Sequence, residues 1–239
     1  MLVSVVVPAH NEEDNIKQTI KNLFSVVSKQ SFDAEIILVD DNSTDKTGTL
    51  CDDFDKKYKN IRVIHRRDRS GMGNALREGT MAAKGEIVIW TMADLTDDLE
   101  TIPLFIEKIN SGVDMVFGSR YIKGGSAGDL APFKAFSSRF FSICASILIG
   151  TNVHDITNAF RAFRRSVFFS IMTKSSDFGI SPEFALKAHL AGFKLDEVST
   201  VYRDRVKGKT KFSMLKMARR YGTILAEVFR QRVKMAVSV

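Results

Sequence analysis

The residues best suited to chemistry in this chain are carboxylates that follow apolar runs. Residues 86–98 read Glu-Ile-Val-Ile-Trp-Thr-Met-Ala-Asp-Leu-Thr-Asp-Asp, an uninterrupted apolar run that stops at acidic residues. Asp94 falls just beyond the strand this run predicts, where the ligands of open α/β sheets collect. A carboxylate there can hold a divalent cation against a diphosphate. Hard cations such as magnesium and manganese take oxygen ligands and are shared between one or two carboxylates and substrate phosphates. The competing reading makes Asp94, Asp97 and Asp98 caps of a helix that starts near Leu99. Two other runs end the same way, one at Pro8-Ala9-His10-Asn11-Glu12 and one at Asp40-Asp41-Asn42-Ser43-Thr44-Asp45. Acidic residues at these three strand ends could divide the ribose, the base and the metal-bound diphosphate of one nucleotide among them.

Such residues need a scaffold that brings strand ends together, and the chain alternates strand and helix as a parallel sheet with covering helices does. Strands are predicted over residues 3–7, 35–39, 61–64, 87–90 and 115–118. Between them, a helix starts near Glu12 with Asn11 as cap and Ile16, Ile20, Leu23, Phe24 and Val27 on one face. Leu50, Phe54 and Tyr58 mark a second helix, a third runs to Ala83 after the basic, glycine-bearing loop 65–74, and a fourth covers residues 99–109. Beyond the glycine-rich loop at 124–128 the rhythm changes. A helix is expected over 132–149 with Phe136, Phe140, Ile143, Cys144 and Ile147 on one side, a strand over 159–164, a helix capped by Ser181, and a strand over 195–202. Residues 212–239 predict a basic helix with Met217, Tyr221, Ile224, Leu225 and Val228 opposite Arg219, Arg220 and Arg230. That helix either packs on the domain or on a second copy, or lies on anionic lipid, the reading its pattern favours.

Length and composition bound the function. With 239 residues, 44% hydrophobic, the chain suits one domain with a sizeable core or one domain plus an appendage. The net charge of +7 favours anionic partners. Two unpaired cysteines, Cys51 and Cys144, point to a reducing, cytoplasmic setting. The apolar patch at 140–149 is well short of the ~20 residues that cross a bilayer. No glycine fingerprint follows the first strand, and Leu76 stands where the Gly71-Met72-Gly73 loop would need its third glycine, so nicotinamide chemistry is disfavoured. No lysine-bearing phosphate loop occurs either, and nucleic-acid binding leaves the ordered acidic loops unexplained.

The motifs quoted above, together with Ala93-Asp94-Leu95, resemble family-2 glycosyltransferases of the type A fold, a Rossmann-like, mostly parallel α/β sheet with helices on both faces. Residues 118–125 (Gly-Ser-Arg-Tyr-Ile-Lys-Gly-Gly), 155–161 (Asp-Ile-Thr-Asn-Ala-Phe-Arg) and 205–211 (Arg-Val-Lys-Gly-Lys-Thr-Lys) are similar to the branch that loads sugars onto polyprenyl phosphates, typified by dolichyl-phosphate mannose synthase. The resemblance implies a catalytic domain over 1–210, with a nucleotide-sugar part at 1–123 and an acceptor part at 124–210, followed by the tail at 211–239. It implies inverting transfer of a hexose from GDP-mannose or UDP-glucose to a polyprenyl phosphate. Pro8, Glu12 and Asp41 would contact the donor nucleoside, Asp94 a Mg2+ or Mn2+ ion on the diphosphate, and Arg205, Lys209 and Lys211 the phosphates from a closing loop. Arg120, Arg139 and Arg161 are candidates to grip the acceptor phosphate, with Asp155 orienting the acceptor or these arginines. The enzyme would sit peripherally on the cytoplasmic face of a membrane, with room for a separate membrane partner subunit. One position departs from the pattern: Met92 stands where the family usually has a second aspartate, and a thioether is a poor ligand for magnesium. The alternatives are transfer to a soluble glycan or protein, and a nucleotide-sugar-binding subunit without catalysis.

Overall fold

The structure, a computed structural model, describes residues 1–128, 130–203 and 214–237. The first half is built of β1 (Leu2–Ala9), α1 (Ile16–Val27), β2 (Asp33–Asp41), α2 (Thr47–Lys57), β3 (Ile61–Arg66), α3 (Met72–Ala82) and β4 (Ile87–Trp90). A 3-10 turn (Leu99–Thr101), α4 (Ile102–Asn110), β5 (Met115–Ser119) and α5 (Pro132–Ile149) follow. The chain continues through β6 (Arg161–Arg164), α6 (Arg165–Ser170), α7 (Ile180–Leu190), β7 (Leu195–Ser199) and α8 (Met214–Val237). Among the described residues the strands form one seven-stranded sheet in the order β3-β2-β1-β4-β6-β5-β7. All pairings are parallel except those of β6, which runs antiparallel to both β4 and β5. This is the doubly wound, mostly parallel architecture expected.

Alternation along the strands feeds two cores. Val3, Val5, Val7, Ile36, Leu38 and Ile89 face α1 and α4, packing on Ile16, Ile20, Leu23 and Phe105. Val6, Ile37, Val39, Val88 and Trp90 point the other way, onto Leu76, Phe163, Ile180, Phe184 and Ile224. Side chains of a strand point to opposite faces in turn, so runs with no polar position bury both faces and require helices on both.

Two local expectations change. The first helix begins at Ile16 rather than near Glu12, because Asn11 adopts φ 56° and its Oδ1 accepts the Thr44 N–H at 2.8 Å, tying the β1 end to the loop after β2. Ser181 caps nothing: Gly179 precedes α7, and the first helical residue is Ile180. The aromatic row expected on one side of α5 is turned away from the core. Phe141, Ser142, Ala145 and Ile149 face inward, with the Phe141 ring 4.9 Å from that of Tyr221 on α8. Phe133, Phe136 and Ile147 are left 67%, 66% and 74% exposed. α8 in turn buries Met217, Ile224 and Val228 against the domain.

Candidate active site

The carboxyl ends of β1, β2 and β4 open into a cavity of about 1290 Å³. Pro8, Glu12, Asp41 and Asp94 line it from the strand ends, and Phe133, Phe136, Phe140, Tyr221 and Leu225 line it from α5 and α8. The backbone is strained at this edge. Among the described residues, the non-glycine positions with positive φ are Asn11 at 56°, Asn42 at 57° and Leu95 at 66°, one just past each of these three strands. A left-handed leucine is sterically unfavourable and persists only where the surroundings enforce it, a condition common at ligand sites.

Each acidic residue is held by its neighbours. Asp41 is buried; its Oδ1 accepts from Arg66 Nη1 and its Oδ2 from the Gly71 N–H at 2.6 Å, fixing the loop after β3 against the end of β2. Glu12 is also buried, with its Oε2 accepting from Asn15 Nδ2 at 2.7 Å and its backbone N–H donating to Thr47 Oγ1 at 2.8 Å. Asp94 Oδ1 accepts from the Thr96 hydroxyl at 2.7 Å. Asp97 turns back under the strand, where its Oδ2 accepts from the Thr91 hydroxyl at 2.9 Å and the Met92 N–H at 2.8 Å. Burial, aided by the nearby Asp94 charge and opposed by these hydrogen bonds, pushes the Asp97 carboxyl up to about 7. None of these aspartates caps a helix through its side chain: Asp98 precedes the 3-10 turn without a side-chain bond to it, and Thr101 precedes α4.

The basic candidates separate. Arg120 lines the cavity and forms a bidentate pair with Asp155, Nε to Oδ2 at 2.6 Å and Nη2 to Oδ1 at 2.8 Å. Burial by itself would lower the Arg120 pKa; the Asp155 charge and these hydrogen bonds outweigh it, and the net shift is upward. Asp155 is fully buried and absent from the cavity wall; it holds Arg120, one of the arginines it is expected to orient, and does not itself reach the cavity where an acceptor would lie. Arg161 is a correction. It is 0% exposed beneath the site, its Nη1 donates to Ser181 O at 2.9 Å and its Nη2 to Asn158 O, and its guanidinium lies 4.6 Å from the Phe117 ring centroid. Burial lowers its pKa to about 9, which leaves it cationic near neutrality but out of reach of an acceptor. Arg139 is exposed on α5 and outside the cavity wall, because the helical period turns Phe136, Phe140 and Cys144 toward the cavity instead. Arg205, Lys209 and Lys211 lie outside the described residues.

Sequence reasoning missed Arg66 as the partner of Asp41, Thr96 as the partner of Asp94, and Ser181, Asp177 and Tyr221 as parts of the cavity wall. The buried Ser181 hydroxyl has no hydrogen-bond partner among the described residues. Arg66 meets Asp41 because the two are register partners at the ends of β3 and β2, Thr96 reaches Asp94 across two residues of one loop, and Ser181, Asp177 and Tyr221 come to the wall only with α7, the segment before it and α8.

A cavity at the carboxyl edge of a doubly wound sheet, with carboxylates after three strands, is where α/β enzymes of this architecture hold their ligands. The sequence model of glycosyl transferase family 2 matches residues 4–171, and the chain belongs to that family; it is a glycosyltransferase. It is similar to the dolichol-phosphate mannosyltransferase of Pyrococcus furiosus, 29% identical over 213 residues that cover 88% of this chain and 59% of that protein. It is also similar to the dolichyl-phosphate hexose transferase of Haloferax volcanii, 30% identical over 209 residues covering 87% of this chain and 86% of the relative. The fold matches glucosyl-3-phosphoglycerate synthase from Mycobacterium tuberculosis, solved with Mn2+ and UDP-glucose, at a TM-score of 0.70 and 18% identity over 94% of this chain and 77% of that one.

Proposed function

We propose that the protein transfers a hexose, with inversion, from a nucleotide-diphosphate sugar to a polyprenyl phosphate on the cytoplasmic face of a membrane. The observation that carries this reading is a single cavity lined both by carboxylates at the strand ends and by exposed aromatics of α5. The names of the Pyrococcus and Haloferax relatives support the same acceptor chemistry.

The nucleoside would lie along Pro8, Glu12 and Asp41, where strained loops are already tied together, and the diphosphate would point toward Asp94. The acceptor phosphate is anionic near neutral pH and needs no general base. Its oxygen attacks the anomeric carbon from the face opposite the leaving group. The carbon–oxygen bond to the diphosphate breaks, and its electron pair leaves with the diphosphate. Arg120, held rigid by Asp155, presents positive charge to the anionic partners, and such preorganised charge is the largest lever on a step of this kind. Arg205, Lys209 and Lys211 remain candidates to neutralise the leaving group.

Among the described residues no group of three or more His, Cys, Asp or Glu side chains could hold a metal ion. Asp94, with Met92 rather than a second aspartate two residues before it on the cavity wall, does not make a cage. It does fit an ion shared with substrate phosphates, the habit of magnesium. Mg2+ or Mn2+ held between Asp94 and the donor would supply charge neutralisation on the departing diphosphate.

Among the described residues no helix is long and apolar enough to cross a membrane. Attachment would come from the apolar ridge of α5 with the basic residues of α8, or from a separate membrane subunit. The test is a screen of labelled GDP- and UDP-sugars against short polyprenyl phosphates in detergent, with magnesium, manganese or chelator. Transfer to the lipid supports the proposal and names the donor. Transfer only to a soluble acceptor, or donor binding without turnover, overturns it.

A further inference from the structure

The Arg120–Asp155 pair is part of a longer chain of contacts that reaches β7. Asp155 lies midway along the loop between α5 and β6, and its backbone N–H donates to Glu197 Oε1 at 2.9 Å. The adjacent His154 ring donates from Nδ1 to Glu197 Oε2 at 2.7 Å. One carboxylate therefore grips two consecutive residues of the loop. The Glu197 side chain is 7% exposed, and it stands on the strand paired with β5, whose last residue directly precedes Arg120. Toward β6 the loop is pinned where Asn158 Nδ2 donates to Gly118 O at 2.7 Å. Asp155 spends both carboxylate oxygens on Arg120, and its Oδ2 also accepts the Arg120 backbone N–H at 3.1 Å. The position of the Asp155 backbone thus fixes the direction of the guanidinium at the cavity wall.

We infer that Glu197 is a positioning residue for sugar transfer: it sets the aim of Arg120 by holding the Asp155 backbone, although it lies outside the cavity itself. The inference rests on the transfer reaction proposed above. Partners that orient a group in contact with substrate matter because a small misplacement is costly. Outer partners of metal ligands show losses of about 10–100-fold when removed, and a misplacement of about 1 Å can cost on the order of 100-fold.

The test uses the full chain with the donor and lipid acceptor found by the screen. Glu197→Ala is expected to lower kcat by roughly 10–100-fold with the donor KM nearly unchanged. Glu197→Gln retains an oxygen for the Asp155 N–H and is expected to recover most of the rate. In a double-mutant cycle, Glu197→Ala adds little to Arg120→Lys, since both act on one guanidinium. Fully multiplicative losses, or a lowered unfolding temperature with kcat intact, overturn the inference. A second readout is independent of turnover: the Arg120 Nε–H resonance, shielded by Asp155, should exchange with solvent faster in Glu197→Ala than in the wild type or Glu197→Gln. Unchanged exchange overturns the inference whatever the acceptor proves to be, whereas a wild type that transfers to no lipid overturns only the reading of function.

Discussion

At the scale of single residues, the site depends on side chains that arrive already held. Asp94 bonds to Thr96 and lines the cavity, so exchanging it for a neutral isostere removes charge with little loss of packing. Asp94→Asn is expected to lower kcat by about 10²–10³-fold, the scale of losing one preorganised electrostatic group, and to weaken the response to magnesium. Unchanged turnover and metal response in steady-state assays would remove Asp94 from the mechanism. His65 gives a pH prediction. Its ring nitrogens meet Asp40 Oδ2 at 2.9 Å and Asp52 Oδ1 at 2.8 Å. The Asp40 hydrogen bond is the largest cause of a raised pKa, with burial opposing it. A histidine raised in the folded state stabilises fully below its unfolded value of about 6.5 and loses that contribution as pH rises through its folded value. His65→Gln should therefore lower the urea midpoint more at about pH 6 than at about pH 9, a difference that shrinks with salt because the ring is partly exposed. An equal loss at both would show that the pair contributes no charge-dependent stability.

At the scale of elements, two contacts decide how the cavity is walled. The start of α3 lies directly against the segment leading into α7: a Cβ on Gly73 would sit 2.4 Å from Ser175 O, and the Gly73 N–H donates to Ser176 O at 2.9 Å. Gly73→Ala has to push these backbones apart, and a cost of about 1–3 kcal/mol is expected from overpacking, read as a lower denaturation midpoint. The other element is α5, whose outward row runs from Phe133 to Ile147. A contiguous apolar face of this kind marks an interaction surface, and burying a side chain of such size in an apolar phase is worth about 1.5–3 kcal/mol. Ile143 and Ile147 lie outside the cavity wall. Changing both to Ser should cut partition onto anionic lipid vesicles by roughly tenfold or more while leaving donor binding intact. Vesicle binding equal to that of the wild type would remove α5 from the membrane-contacting surface.

At the scale of the whole molecule, the two halves are interleaved. β6, from late in the chain, lies between β4 and β5, and α8 packs its Ile224 and Val228 into the core shared with Trp90 and Phe184. Nothing in this packing lets the halves come apart independently. A single cooperative unfolding transition is expected, with calorimetric and van't Hoff enthalpies equal; two resolved transitions would contradict it. Ile224→Ala should lower that transition by about 2–5 kcal/mol, the usual cost of emptying a buried isoleucine site.

Much of this architecture is written locally. Residues 87–90 and 132–149 take the strand and helix that their sequence predicts, because an unbroken apolar run and a proline-started helical period are each decided by near neighbours. The carboxylates Glu12, Asp41 and Asp94 were likewise legible, since strand ends in a parallel sheet share one edge and a strand end can be read from where apolarity stops. What only the tertiary structure decided is which way long side chains go once distant elements meet. Arg161 and Arg120 look alike in sequence, but one is drawn under the sheet by backbone carbonyls of Asn158 and Ser181, and the other is turned to the cavity by Asp155. The α5 aromatics obey a helical period that fixes which residues share a face but not whether that face meets the core or the outside. Periodicity is a property of the chain, whereas burial depends on the partner surface, and α8 supplied that surface for the opposite side of α5.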